Sequence, residues 1–167
     1  VGDSKTGETA KYDGIYYLIQ YLRKAAIILR ILNVGNKRVK LNLVPVDFVV
    51  EAIAALSEDD AAKGKTLAIA DPDPLTTGEL FDAIAYALTG RRSEFAPSVA
   101  ITKWFLNTSI SPKITGLPHY GVPYFFIEQK YDTSEADKLL EKHSIKCPRF
   151  PVYVENLIAF VEENPEL

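Results

Sequence analysis

Methionine is absent from this sequence, and cysteine occurs once, at Cys147. A single cysteine excludes an internal disulfide framework and fits a reducing compartment. His119 and His143 are the only histidines, far apart and with no cysteine pair beside either, so no metal site is expected. The longest apolar stretch, residues 15–34, is broken by Gln20, Arg23, Lys24 and Arg30, which argues against a bilayer-spanning helix. The N-terminus lacks the basic-then-apolar design of a secretory signal, so a cytoplasmic location is expected. A net charge of -3 gives no electrostatic footprint for nucleic acid or an anionic membrane.

The catalytic signatures are missing too. No G-x-G-x-x-G follows a strand pattern, which removes the usual cradle for a pyrophosphate. None of the nine tyrosines has a lysine four residues later, the helical spacing at which an ammonium would lower a phenol pKa. Walker-type phosphate loops, G-x-S-x-G elbows and H-E-x-x-H helices are also absent. With Val1 first and no methionine anywhere, the chain reads as one that begins partway through a fold; processing, or replacement of the methionines, is the alternative.

What is present is globular. At 167 residues the chain fits a single domain, residues 1–167, and 47% hydrophobic against 25% charged composition is enough for a true core. Residues 1–14, with three glycines and many small polar side chains, read as a loop. Ile15, Leu18, Ile19, Leu22, Ala26 and Leu29 share one helical face. Gly35-Asn36 signals a turn, and residues 39–46 alternate well enough for a strand.

Asp47 stands where a helix N-cap belongs, ahead of a buried stripe of Val49, Val50, Ile53 and Leu56. Residues 66–70 form a short apolar strand closed by Asp71-Pro72-Asp73-Pro74. Thr76 and Glu79 spell a capping box, with Leu80, Ile84 and Leu88 as core positions and Gly90 as terminator. Residues 97–106 suit a helix carrying Trp104 and Phe105, residues 109–123 a long loop, and residues 124–131 a strand. A helix begins near Thr133 or Ser134, burying Leu139 and Leu140. A last helix buries Val154, Leu157, Ile158 and Val161 and stops at Asn164-Pro165. Strands alternating with helices predict an α/β or α+β fold. Three or four short strands are too few for a complete dinucleotide-binding sheet.

Gly2-Asp3-Ser4-Lys5-Thr6-Gly7-Glu8, followed by Lys11-Tyr12-Asp13-Gly14, resembles the loop after the sixth strand of extended short-chain dehydrogenases/reductases. That group lies within the NAD-dependent epimerase/dehydratase superfamily, and the branch most similar is the thioester-reductase or fatty-acyl-reductase-like one. Asn42-Leu43-Val44-Pro45-Val46-Asp47-Phe48-Val49-Val50 is similar to that family's strand-to-helix step, and Asp71-Pro72-Asp73-Pro74-Leu75-Thr76 to the turn after its next strand. Tyr131-Asp132-Thr133-Ser134, Leu139-Leu140 and Cys147-Pro148 are similar to its C-terminal helical region. The likeness covers most of the chain and is weakest over residues 91–125.

The resemblance implies an α/β (α+β) fragment of a Rossmann-type fold: the C-terminal substrate-binding portion, with a few short strands and five to six helices. The cofactor-binding half, with its glycine motif and catalytic Ser/Thr, Tyr and Lys, would lie outside this chain. On that basis the chain holds no catalytic, cofactor-binding or metal residues of its own, and NAD(P) belongs to the intact protein.

Several residues are candidates for the substrate side. Asp3 and Ser4 either line the nicotinamide or substrate end of a cleft or form a polar turn. Tyr12, Tyr16, Tyr17 and Tyr21 suit an aromatic wall for an apolar or acyl substrate, core packing being the commoner use of such a stripe. Tyr120 and Tyr124, in the cluster 120–126, suit a gating loop or a hydrophobic lid. Asp47 and Asp132 are explained by helix capping, Arg91-Arg92 by last-turn carbonyls, and Cys147 by apolar burial.

The leading expectation is therefore the substrate-binding portion of an oxidoreductase acting on a thioester, aldehyde or related carbonyl, incomplete alone. Its partners would be the missing cofactor domain, a small apolar or acyl substrate, and a second copy in a homodimer. A non-enzymatic ligand-binding or dimerisation module is the rival from another class. The C-terminal part of a nucleotide-sugar epimerase/dehydratase is a third, lowered by a lining poor in arginine.

Overall fold

The computed structural model describes residues 1–24, 33, 35–93, 97–98, 100–101, 104, 107–108, 127 and 129–167. Five α-helices are described: α1 (Ile15–Lys24), α2 (Val46–Glu58), α3 (Thr77–Thr89), α4 (Ser134–Lys142) and α5 (Phe150–Glu163). A short 3₁₀ turn, Asp60–Ala62, follows α2 and is capped by the Asp59 carboxylate.

Two hydrophobic clusters hold the chain together. The larger joins α1, α3 and α5: Ile15, Tyr16, Ile19 and Leu22 meet Leu80, Phe81 and Ile84 together with Phe150, Tyr153, Leu157 and Val161. The predicted faces of these three helices are the observed ones, with Leu88 partly buried. Ala26 and Leu29, placed on the first of those faces, lie outside the described residues. The smaller cluster packs Phe48, Ala52 and Leu56 of α2 against Leu139 and Leu140 of α4, with Ile145.

Helix ends follow local chemistry. Thr76 and Glu79 form the predicted capping box, and Gly90 terminates α3 at φ 70° with its N–H on the Tyr86 carbonyl. The C-terminal end of α5 is tied to α1 by Arg23 Nη1, which donates to the Val161 carbonyl at 3.0 Å.

Helix α2 departs from expectation twice. Its N-cap is Pro45, with no side-chain cap, and Asp47 sits inside the first turn. The buried stripe is Phe48, Ala52 and Leu56, while Val46, Val50 and Ile53 are 48%, 61% and 54% exposed. A helix start one residue before Asp47 frees its carboxylate for another segment. Phe48 offers more area than the valines beside it, so it turns the helix to face α4.

The predicted strands are also only partly realised. Residues 39–46 make a single antiparallel bridge, Lys40 to Thr76, and no regular ladder occurs among the described residues. Leu41 N–H donates to the Leu75 carbonyl and Thr77 N–H to the Val39 carbonyl. At Asn42 the side chain takes over: its Nδ2 donates to the Asp71 carbonyl and its Oδ1 accepts from Asp71 N–H, both at 2.9 Å. Pairing continues as a side-chain imitation of a strand and then stops. The predicted strand over 124–131 and helix over 97–106 fall mostly outside the described residues.

Segment 33–36 runs against the start of α3. Asn33 Nδ2 donates to the Gly78 carbonyl, and Asn36 N–H donates to Thr77 Oγ1. A Cβ on Gly35 would stand 2.5 Å from Gly78 Cα, so glycine is what permits this approach.

Candidate functional site

The N-terminal loop is built around two polar side chains. Asp3 Oδ1 accepts from the N–H groups of Lys5 (2.8 Å) and Thr6 (2.9 Å), closing a tight turn. Those two backbone donors hold its carboxyl below the usual carboxylate range. Gly7, at φ 76°, lets the turn lie against α5, where a Cβ would stand 2.1 Å from the Asn156 carbonyl oxygen.

Ser4 is the junction between this loop and two helices. Its N–H donates to Asp47 Oδ1 at 2.9 Å, and its Oγ donates to Asp47 Oδ2 at 2.6 Å. Its carbonyl accepts from Asn156 Nδ2 at 2.7 Å. Asp47 thus clamps the loop to α2, and Asn156 clamps it to α5. Sequence reasoning missed both partners, because contacts over 43 and 152 residues leave no local pattern. Nearby, Val1 N donates to the Val44 carbonyl and Val46 N–H to the Val1 carbonyl. These two bonds bracket Pro45 in the pattern of a parallel strand pair.

The tyrosines stand behind the loop in two roles. Tyr16 is 1% exposed, and its hydroxyl accepts from Gly2 N–H at 2.9 Å. Tyr12 is half-buried, stacks on Tyr16 at 5.2 Å between ring centroids, and donates to the Asn164 carbonyl at 2.6 Å. Tyr17 is half-buried and Tyr21 is buried. The structure therefore brings Asp3, Ser4, Tyr12 and Tyr16 into one neighbourhood. Tyr120 and Tyr124 lie outside the described residues.

A second polar neighbourhood joins the loops beneath α5. Asp71 is buried, its Oδ1 accepting from Asp73 N–H. Asp73 meets Arg149 at 2.6 Å and Lys40 at 3.2 Å, and these cations depress its pKa. Cys147 is half-buried, and burial, with Asp71 and Asp137 nearby, pushes its thiol up to about 12. The buried Tyr153 phenol is raised mainly by burial. Such a thiol stays protonated at neutral pH and is inert.

An open groove of about 430 Å³ lies between α3 and α5, with Tyr86, Arg92, Glu155 and Val154 among its walls. Glu79 is committed there to its own capping box and Asp82 to Ser93. No group of three or more potential metal ligands occurs among the described residues. No described helix is long and apolar enough to cross a membrane.

The whole chain has a fold already seen. It superposes on the terminal R domain from the myxalamid PKS-NRPS biosynthetic pathway with a TM-score of 0.70, at 17% sequence identity. The match covers 100% of this chain and 42% of that one, so this chain spans less than half the length of its structural neighbour. At this identity the likeness is one of fold. No protein-family model matches the sequence, and the curated proteins give no match.

Proposed function

We propose that this chain is the substrate-side portion of an NAD(P)-dependent oxidoreductase acting on a thioester, aldehyde or related carbonyl, incomplete alone. The observation that carries the reading is the end-to-end match to less than half of the terminal R domain, which we take to be a reductase. It joins the sequence resemblance to the thioester-reductase-like branch, carried chiefly by residues 2–14, 42–50 and 71–76.

In this reading Asp3 and Ser4 form the rim of the cleft, and Tyr12, Tyr16 and Tyr17 form the apolar support behind it. Tyr120 and Tyr124, outside the described residues, are kept in this reading as further substrate contacts. The clamps from Asp47 and Asn156 fix the rim, so that a substrate meets a preorganised turn.

The reaction would add a hydride to the carbonyl carbon and a proton to its oxygen, with loss of a thiol when the substrate is a thioester. The starts of α2 and α3 do not fit the dinucleotide that supplies the hydride. The start of α3 is closed by Glu79, and the first turn of α2 already carries Asp47, so neither offers open N–H groups to a pyrophosphate. In this reading the cofactor site belongs to polypeptide outside this chain, and no chemical step is routed through the residues here.

Titration of NADPH and NADH against the 167-residue chain, followed by calorimetry, tests this. No binding in the micromolar range is expected. Micromolar binding, or unaided reduction of an acyl thioester or aldehyde, would overturn the proposal.

A further inference from the structure

The groove between α3 and α5 is unused by the function proposed above. Its floor is made of small or buried side chains: Ala83 and Ala87, one turn apart on α3, and Val154 of α5. Alanine at both positions leaves a trough between two packed helices, with Tyr86, 55% exposed, standing as one wall. From Glu79 to Ala87 the trough follows α3 for about 12 Å, a little over two turns. Its charge is one-sided. Helices α3 and α5 hold five acids, Glu79, Asp82, Glu155, Glu162 and Glu163, and no lysine or arginine. Taking those five from the 22 acids of the sequence leaves 17 against 19 cations, so the rest of the chain is net positive. Among the described residues Arg92, past the end of α3, is the one cation in the lining, and the Glu155 carboxylate has no partner.

We propose that this groove docks a basic amphipathic helix of a partner protein, its apolar face on Ala83, Ala87 and Val154 and its lysines or arginines against Asp82 and Glu155. The inference goes beyond the function proposed above and does not depend on it. Charge complementarity selects a cationic occupant, because this set of carboxylates repels nucleic acid and anionic lipid headgroups alike. The walls select a helix. Both are helices whose backbone groups are bonded internally, so they have no row of N–H and C=O groups to offer an extended peptide. A helix brings its own backbone bonds and needs only side-chain contacts. A second copy of this chain does not supply one among the described residues. Helices α2 and α4 are net acidic, and the apolar face of α1 is buried in the core.

Fluorescence anisotropy on this chain tests the groove with a labelled peptide of about 14 residues, leucine recurring every three or four positions and lysine elsewhere. Two control peptides carry the same label: the same composition in scrambled order, and the leucine pattern with glutamate in place of lysine. The patterned lysine peptide should bind in the micromolar range, at least about tenfold tighter than the scrambled one and more weakly as salt rises. The glutamate peptide should not bind. Tyr86→Ala and Glu155→Lys, both at exposed positions, should each weaken binding roughly tenfold with helix content by circular dichroism unchanged. Glu51→Lys, the same charge change on the exposed side of α2, should leave the affinity within about twofold. Equal affinity for patterned and scrambled peptides, or equal losses from Glu155→Lys and Glu51→Lys, would reduce the effect to overall charge and overturn the proposal. Binding that survives both groove variants, or no binding at millimolar peptide, would overturn it as well. A sedimentation mass that doubles with concentration and reverts in Glu155→Lys would assign the groove to a second copy, against the proposal.

Discussion

Replacing Asp47 with alanine separates two physical roles for that carboxylate. If Asp47 only complemented the helix start, its loss would be independent of the N-terminal loop. The structure instead gives both oxygens to Ser4, at 2.9 Å to its N–H and 2.6 Å to its hydroxyl. Hydrogen bonds to a charged group contribute about 1.5–3 kcal/mol each, less where water reaches them. This pair is partly buried, so Asp47→Ala should destabilise by about 2–3 kcal/mol. Ser4→Ala removes one of the two bonds and should cost about 1 kcal/mol. Because both changes strike the same contact, the double mutant should be less destabilised than the sum, by ~1 kcal/mol. Urea unfolding monitored by far-UV circular dichroism gives the readout. With a urea slope of about 2 kcal/mol/M, Asp47→Ala shifts the midpoint by about 1 M. Additivity of the two mutants within ~0.3 kcal/mol would refute the clamp.

Gly7→Ala should lower stability by more than about 2 kcal/mol, since it combines positive φ with a clash against α5, whereas Gly64→Ala, equally positive in φ but facing open space, should cost about 1 kcal/mol; equal midpoints would contradict this. Leu157→Ala, at the centre of the α1–α3–α5 cluster, should cost about 2–5 kcal/mol in the same assay, and a smaller loss would mean the cluster is not the principal core. Acid should destabilise the fold as pH falls below the usual carboxylate range. Asp3, Asp59, Asp73, Glu79 and Asp132 all have depressed pKa values, so their contribution is complete above the unfolded-state value and lost as pH drops through the folded one. Arg149→Ala should flatten part of that acid dependence, and an unchanged profile would exclude the Arg149–Asp73 pair as a contributor. With its thiol raised to about 12, Cys147 should react with iodoacetamide at pH 8 roughly a thousandfold more slowly than a free cysteine, and recover on unfolding; rapid native-state labelling would show that the burial is wrong.

Local chemistry was readable and long-range partnership was not. The Thr76–Glu79 box, Gly90 and the buried faces of α1, α3, α4 and α5 follow from spacing alone, because capping and amphipathicity act within one or two turns. Asp47 shows where that reasoning ends: as an N-cap it satisfies every local rule, yet its partner lies 43 residues away. Val50 and Ile53 looked like core because they are apolar at helical spacing; which side of α2 is buried depends on what lies opposite, and Phe48 decides it. Of the substrate-side candidates, Asp3, Ser4, Tyr12 and Tyr16 come together, although Tyr16 uses its hydroxyl to hold Gly2. Residues 66–70, expected as a short apolar strand, form no strand among the described residues, although Leu67 and Ile69 pack on the α2–α4 cluster.

Asn42 has one more effect. By bonding both the N–H and the C=O of one residue, Asp71, its amide acts as a ratchet tooth between two passing segments. Sliding either segment by one residue forfeits both of these bonds together, so this side chain reinforces the alignment that the Leu41–Leu75 and Val39–Thr77 backbone bonds also hold. An aspartate there would present an acceptor to the Asp71 carbonyl and repel it, so misregistration rather than simple loosening is the failure this position guards against.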